Sequence, residues 1–495
     1  MGRQTNRGQS ARPYLRSVAR TKTIDAGFLL GVQQPDAKAQ LTAQDGVSLD
    51  TLVDTTVRDL RDLAWISIDD RASRDLDQVS VAELLEDGAT RLRVAIADVD
   101  AWVPQGSPLD RHAAGNATSV FTGVVSYPML PEPLAVGRAS LIEGEDRLAL
   151  VVELIVDWDG TVRSSDAYRA LVRNQARLDY EEAGAWLEGE AAAPPATAES
   201  PTLGEQLRLH EAAVLALRDR RLAGGALDLI RAEVQPIFDD DRIVDMVVVL
   251  PNRARTMIEH LMVAVNAAIA RFMSRSEMPW IARTQSPRDW NGLIELADEY
   301  GYELPDEPDR AAFGGLVHHL RTSDAAGFAV LQPVIARMLG GTEDLVMQPG
   351  EDPPPHYGLT LDGYTRATAP IRRYADLLAQ RLLKAAIAGR PAPYTVAELD
   401  DLVDHARERG RAAETVEREM FKIYGTLLVQ ERMGEVFDAT VTNATDYGVW
   451  ARLDHPPVEG RLVQADASLD RGDRIRVRVT RTNWERGFVD LRLVP

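Results

Sequence analysis

The sequence predicts an α+β chain, a mixed sheet followed by long helices, closed by a small all-β barrel of five strands. Three observations predict it. Between Leu63 and Val156, stretches of apolar and polar residues alternate with the period of a half-buried strand. From Arg255 onward the helical period dominates, with Ile258, Met262, Val265 and Ile269 on one face. From Gly434 to the end, short apolar runs alternate with glycine turns, the pattern of an OB-type barrel. Strands first and helices later argue for a segregated α+β arrangement.

The 495 residues suffice for two to four domains, read here as 1–60, 61–431 and 432–495. A hydrophobic fraction of 45% supports a sizeable core. No apolar run approaches the ~18 residues of a membrane span, and no short apolar block follows the basic start as in a secretory signal. The absence of cysteine excludes disulfides and thiolate metal sites and fits a reducing compartment, so a cytoplasmic location is expected. The net charge of −20 argues mildly against a nucleic-acid binder. Net charge, however, speaks to solubility and long-range steering and not to a local site.

Residues 1–24 carry Arg3, Arg7, Arg12, Arg16, Arg20 and Lys22 and no acid. They read as a solvated tail, as an RNA-contacting arm or as a transit peptide. Residues 25–62 read as a small, partly helical segment. Strands follow at Trp65-Ile66-Ser67-Ile68-Asp69, at Leu92-Arg93-Val94-Ala95-Ile96 and over Leu148–Val156, which ends at the turn Asp157-Trp158-Asp159-Gly160. The Ala/Pro/Glu-rich stretch 188–204 reads as a surface loop. Long helices are expected over Arg255–Ser274, Ile371–Ala388 and Ala397–Met433. Barrel strands are expected around Gly434–Phe437, Asp446–Trp450, Glu459–Leu462, Gly472–Val477 and Phe488–Leu491.

The first chemical signal is Ile68-Asp69-Asp70-Arg71-Ala72-Ser73-Arg74-Asp75-Leu76-Asp77-Gln78. A strand delivers Asp69, and an extended loop would present Asp75 and Asp77 on one side. Converging carboxylates repel one another unless a hard cation lies among them, and Mg²⁺ prefers such oxygen ligands together with water and substrate phosphates. One or two such ions can activate a water and stabilise the leaving oxygen of a phosphodiester. Alone, the cluster reads more readily as a solvated acidic turn.

Its company decides more. Val94-Ala95-Ile96-Ala97-Asp98-Val99, Pro128-Met129-Leu130-Pro131, Gly144-Glu145-Asp146-Arg147-Leu148-Ala149-Leu150, His356-Tyr357-Gly358-Leu359 and Thr368-Ala369-Pro370-Ile371-Arg372-Arg373-Tyr374-Ala375-Asp376-Leu377 follow in that order. Together they resemble the catalytic domain of the ribonuclease II family, and the C-terminal segment is similar to the OB-fold RNA-binding domain that usually follows it. The resemblance implies a processive, hydrolytic 3′-to-5′ exoribonuclease that takes single-stranded RNA through a channel and releases nucleoside 5′-monophosphates and a short end product. It implies Mg²⁺ as cofactor, with Mn²⁺ as a substitute, single-stranded RNA as partner and no membrane. A monomer is compatible with all of this.

Carried over by the resemblance, Asp69, Asp75 and Asp77 match three of four metal-site aspartates, and the fourth position is Gln78, whose carbonyl can ligate but carries no charge. Arg372 matches the catalytic arginine, whose fork can hold the scissile phosphate, with Arg373 beside it. Tyr180 matches a tyrosine that contacts RNA near the cleavage site. Phe121 stands where the family has another tyrosine and keeps the ring for stacking. Glu259 matches a glutamate at the RNA end, seven residues from Asn266 on one helical stripe, and Glu417 matches a glutamate near the site. Three further departures are Gln380-Arg381 for a His-Arg pair, Arg366-Ala367 for His-Phe and Ala369 for Ser. About 60 N-terminal residues cannot hold the two cold-shock-type domains of longer relatives, so the expected RNA entrance is built from the N-terminal segment and the barrel.

In the barrel, Phe437, Tyr447 and Trp450 are the aromatics expected to face RNA. Arg471, Arg474, Arg476, Arg478 and Arg481 form a basic run, with Arg474, Arg476 and Arg478 on one side of a strand. Two other functions compete: an RNA-binding protein whose site is weakened by Gln78 and Phe121, and a Mg²⁺ endonuclease or phosphodiesterase acting on small substrates.

Overall fold

The structure is a computed structural model that describes residues 11–229, 232–445, 447–463 and 469–494. Arg3 and Arg7 of the basic start and Asp446 of the second barrel strand lie outside the described residues.

The central sheet contains β1 (Arg58–Asp59), β2 (Trp65–Asp69), β3 (Gln78–Leu84), β4 (Thr90–Ala97), β5 (Asp146–Val156) and β6 (Val162–Asp179), in the order β1-β6-β2-β3-β4-β5. The 18-residue β6 serves two neighbours. Its first part forms an antiparallel ladder with β5, and its end runs parallel to β2, where Asp69 lies opposite Asp179. Every residue of β2 is buried, so this strand is covered on both faces although it alternates in sequence.

The main helices are α1 (Arg12–Asp25), α2 (Pro35–Gln44), α3 (Pro108–Asn116), α4 (Tyr180–Leu187), α5 (Pro201–Ala223), α6 (Arg253–Ser274), α7 (Trp290–Glu299), α8 (Arg310–Ser323), α9 (Ala325–Leu339), α10 (Tyr374–Ile387) and α11 (Val396–Gln430), of which α5, α6 and α10 pack on the sheet. Trp65, Leu92, Leu261, Leu377 and Leu382 meet in the main core without exposed surface. Helices α7 to α9 close a separate small core around Phe313 and Leu316. No helix among the described residues is long and apolar enough to cross a membrane.

Two expectations need correction. The basic start is not a solvated tail from residue 12 on: it forms α1, whose Leu15 and Ala19 are fully buried in one core with Met420 and Tyr424 of α11. Its arginines are spaced along the helix, so the opposite stripe is free to pack. The stretch 188–204 is not a loop throughout, because a short helix spans Pro195–Glu199 and α5 starts at Pro201. Both begin with proline, which favours the first helical turn as much as it favours a loop.

The C-terminal barrel is closed by five strands, β9 (Val436–Thr445), β10 (Gly448–Leu453), β11 (Glu459–Leu462), β12 (Arg474–Asn483) and β13 (Phe488–Val494), in the order β9-β10-β11-β13-β12. Closure leaves no free edge. Between the sheet and the barrel, an antiparallel hairpin of β7 (Glu233–Asp239) and β8 (Arg242–Val249) packs through Ile243 and Met246 on α1 and α11.

Candidate active site

The site begins where β2 ends. Asp69 is its last residue, and its pairing with Asp179 fixes its direction. Asp179 also caps α4, accepting from the backbone N–H groups of Glu181 at 3.0 Å and Glu182 at 3.3 Å, so Tyr180 stands beside Asp69 at the first helical position. The loop from Asp70 to Leu76 is held from two sides. Arg177 donates to the carbonyls of Asp70, Arg71 and Ser73 at 3.1, 2.9 and 2.6 Å. Ser140 accepts from Leu76 N at 2.9 Å and donates to Arg74 O at 3.0 Å. Arg147, from the Gly-Glu-Asp-Arg motif, in turn holds the carbonyl of Ser140 at 2.9 Å. The loop therefore presents Asp75 and Asp77 to one cavity, just before β3 opens with Gln78.

Arg372 arrives from 295 residues away. Its Nε donates to Asp77 Oδ2 at 3.2 Å, and Ile371 N donates to Asp77 Oδ1 at 3.0 Å. Helix α10, which follows, is anchored by buried charges. Lys384 lies 2.7 Å from Asp98 and 2.9 Å from Asp100, and Arg381 lies 2.8 Å from both Asp100 and Asp110. Gln380 donates to Ala97 O at 2.7 Å. Removing one partner of such a buried pair costs about 3–5 kcal/mol, so the segment after β4 is locked to the middle and last turns of α10, the helix that follows Arg372.

Burial governs the electrostatics. It pushes Asp77 up to about 7 against the opposing pull of Arg372 and the Ile371 N–H. Burial likewise raises Asp69 to about 7, opposed by Arg177 and reinforced by the carboxylates of Asp75 and Asp70. Asp75 is raised by burial too, with Arg372 opposing. Asp69 Oδ2 is buried without a hydrogen-bond partner. These acids are short of positive charge. Among the described residues, however, no three acids or histidines are grouped closely enough to hold a metal ion by themselves.

The cavity has a volume of about 1540 Å³ and runs from these acids to the barrel. Phe121 is 39% exposed in its wall, and its backbone N–H donates to Glu417 Oε1 at 2.7 Å, tying it to α11. Burial raises the Glu417 carboxyl above its ordinary range. Tyr180 lies under the Arg255 guanidinium, 4.6 Å from its ring centre, and burial pushes its hydroxyl well above the usual tyrosine range. Glu259 lines the wall from α6, and Trp450 lines it from the barrel with Arg461 at 5.9 Å.

Other expected residues lie elsewhere. Arg373 does not line the cavity. It pairs with the fully buried Asp376 at 2.6 Å, whose Oδ1 also accepts from Ala369 N at 2.9 Å, so this arginine braces the loop that carries Arg372. Asn266, on the stripe of Glu259, is likewise internal, accepting from Ala367 N at 3.0 Å. Arg366 pairs with Asp344 at 2.8 Å. Phe437 is only 5% exposed and fills the barrel core, because it belongs to the inward set of β9. Tyr447 is 86% exposed and off the cavity. Arg474, Arg476 and Arg478 do share one exposed face of β12, but that face is not part of the cavity wall. The expected entrance also differs. Among the described residues none before Asp69 lines the cavity, and its outer wall includes the Glu233–Val249 hairpin.

Sequence reasoning missed Asp70, Arg255, Arg418, Lys422, Arg461 and Phe488, all of which line the cavity. Asp70 adjoins a named aspartate and could have been suspected. The others sit in ordinary helical or strand patterns that carry no signal.

Comparison with known proteins adds the following. Residues 57–389 match the RNB domain, and residues 435–494 match the RNase II-type exonuclease C-terminal S1 domain. Ribonuclease R of Aquifex aeolicus is 28% identical over 472 residues, covering 88% of this chain and 65% of that protein. Ribonuclease R of Thermotoga maritima is 29% identical over 469 residues, with the same coverage. The chain thus spans about two thirds or less of the length of the curated relatives it matches. Among solved structures, Mycoplasma genitalium RNase R in complex with ribose-methylated single-stranded RNA superposes with a TM-score of 0.82 at 21% identity, covering 97% of this chain and 78% of that one, a likeness of fold.

Proposed function

The chain belongs to the ribonuclease II family, its RNB domain spanning residues 57–389, and on that premise we propose that it is a hydrolytic, processive 3′-to-5′ exoribonuclease acting on single-stranded RNA. The observation that carries the reading is the meeting of Arg372 with Asp77 at 3.2 Å in a cavity that Asp69 and Asp75 also line. A phosphodiester placed there would have a guanidinium on one side and carboxylates on the other, the arrangement that hydrolysis of an anionic ester needs. The cavity continues from the acids past Phe121 and Tyr180 to Trp450 and Phe488, which suits a strand whose bases stack while its end is cut.

The unpartnered Oδ2 of Asp69 and the raised carboxyls of Asp69, Asp75 and Asp77 fit a divalent cation. Asp69, Asp75 and the Gln78 carbonyl would hold it, with Asp77 already shared between Arg372 and the Ile371 N–H and with RNA phosphate and water completing the shell. When bound, Mg²⁺, or Mn²⁺ in its place, supplies a water of lowered pKa and a charge against the leaving oxygen. The chain's own work is to hold the phosphate with Arg372 and to brace that arginine through Arg373 and Asp376. Tyr180 and Phe121 align the terminal nucleotides, and Glu259 faces the RNA end. A cytoplasmic location and a monomeric state belong to the same proposal.

The test is a 5′-labelled single-stranded RNA of ~30 nucleotides, incubated with Mg²⁺ or with EDTA, with Asp77→Asn as control. A short limit product without a ladder, abolished by EDTA and by the substitution, is expected. Intact RNA that still shifts on a native gel would replace this reading with an RNA-binding protein of weakened chemistry. Internal fragments would replace it with an endonuclease.

A further inference from the structure

We propose that Arg255 is a positioning residue of the cleavage site: its guanidinium, laid over the Tyr180 ring, fixes the platform on which the last base of the strand stacks. The inference rests on the function proposed above and adds to it the residue that sets that platform.

Tyr180 is placed by two separate holds from the start of α6. The first takes its backbone. Asn252, which caps α6 by accepting from Arg255 N at 3.0 Å, donates from Nδ2 to the Tyr180 carbonyl at 2.8 Å. A Cβ at Gly184 would collide with that asparagine, so glycine there lets α4 and α6 approach. The second hold takes the ring. The Arg255 guanidinium lies 4.6 Å from its centre, inside the ~6 Å over which a cation is attracted to an aromatic face. The same guanidinium donates to Asp70, in the loop that carries the acids, and at 3.3 Å to Glu181, next to Tyr180. One side chain thus joins the acid loop, α4 and α6.

A plain ion pair does not account for this arrangement. Arg71 already ties the same loop to α4 through Glu182, with a side chain 76% exposed, whereas that of Arg255 is 16% exposed. Arg255 Nε is also buried without a hydrogen-bond partner, a cost that an ion pair at the surface avoids. What the group gains in return is its place over the ring. Arg255 and Tyr180 both line the cavity. With one face under the guanidinium, the ring has the other to offer a base, and stacking of this kind tolerates every base. Burial, then Asp69 and Asp70, raise the Tyr180 hydroxyl against Arg255 and Arg372. The hydroxyl therefore stands between the acids and the arginine that holds the phosphate, and a tilt of the ring would move the terminal nucleotide relative to both.

The experiment reads the stack without cleavage. In EDTA, an RNA carrying 2-aminopurine as its 3′-terminal base is titrated with the full chain. Its fluorescence falls when the base stacks, and anisotropy of a 5′ label gives Kd. The wild type should quench the probe. R255M should lose most of the quenching at nearly unchanged Kd, because the rest of the cavity is untouched. R255K keeps a cation over the ring and should restore most of it. R71M, which breaks only the surface tie, should behave as the wild type. Y180A should abolish the stack, and R255M/Y180A should add nothing to that loss, because one residue acts through the other. With Mg²⁺, the single-turnover rate should fall roughly tenfold in R255M, within the range of one stacking contact, and no further in the Y180A background. Wild-type quenching in R255M would overturn the proposal. So would an R255M loss of the same factor with and without the tyrosine, or an R255K protein as poor as R255M. A wild type that quenches the probe but does not hydrolyse RNA would refute the proposed activity and leave this inference standing.

Discussion

Replacing Arg372 by alanine separates positioning from chemistry. The Arg372 side chain is 42% exposed, and only its Nε is committed to Asp77, at 3.2 Å. The rest of the fork faces the cavity. Alanine therefore removes a charge aimed at the phosphate and leaves Asp77 with the Ile371 N–H alone. Loss of one preformed donor at a reacting centre costs about 2.7–4 kcal/mol of transition-state stabilisation, roughly 10²–10³ in kcat. Stability should fall much less, by about 1 kcal/mol, because the arginine is half-exposed and Asp77 keeps its backbone donor. Arg372→Lys restores the charge but not the fork and should recover only part of the rate. The assay is single-turnover release of nucleotide from an RNA of fixed length, with binding followed separately on native gels and folding by urea titration. RNA affinity should stay within about threefold of wild type. A kcat within threefold of wild type in the folded alanine variant would refute the assignment, as would a loss expressed wholly in binding.

Three further outcomes are expected. Lys384→Met should destabilise the chain by about 3 kcal/mol, because it strips the ammonium from the buried Asp98 and Asp100; a urea midpoint shift worth less than about 1 kcal/mol would contradict this. His210 is 1% exposed, and burial lowers it to about 4. The unfolded chain, near the ordinary 6.5, takes up the proton first, so stability is full above that pH and is lost as pH falls from about 6.5 toward 4, by about 3 kcal/mol for this one residue. Urea titrations at pH 7 and pH 5 should show this contribution vanish in His210→Phe, and equal pH dependence in both proteins would count against it. Gln78→Asp should lower the Mg²⁺ concentration for half-maximal activity by about an order of magnitude, since a charged ligand replaces a neutral one. An unchanged Mg²⁺ titration would show that position 78 is not at the ion.

The alternation over Trp65–Asp69 and Thr90–Ala97, the helical period of α6 and α11 and the five glycine-spaced strands are local patterns, and each element formed where its pattern lay. The acids Asp69, Asp75 and Asp77 and the arginine Arg372 were likewise legible, because a motif keeps chemistry-bearing residues at set spacings. Their meeting was not. Asp77 and Arg372 meet directly, at 3.2 Å, across 295 residues of chain, a contact that no local pattern reports. The adjacent Arg373 reads in the sequence as a support for Arg372 and as an RNA contact; packing turns it inward onto Asp376, so that it braces the loop and does not reach the cavity.

The barrel shows where sequence stops. Period-2 alternation told correctly that Arg474, Arg476 and Arg478 share a face. It could not tell whether Phe437 belongs to the inner or outer set, nor which outer face meets the cavity. A strand pattern specifies sides relative to its own sheet, whereas the side turned toward the active site is set by how the closed barrel docks against α11. That docking brought Trp450, Arg461 and Phe488 to the cavity and left the β12 arginines on the outside.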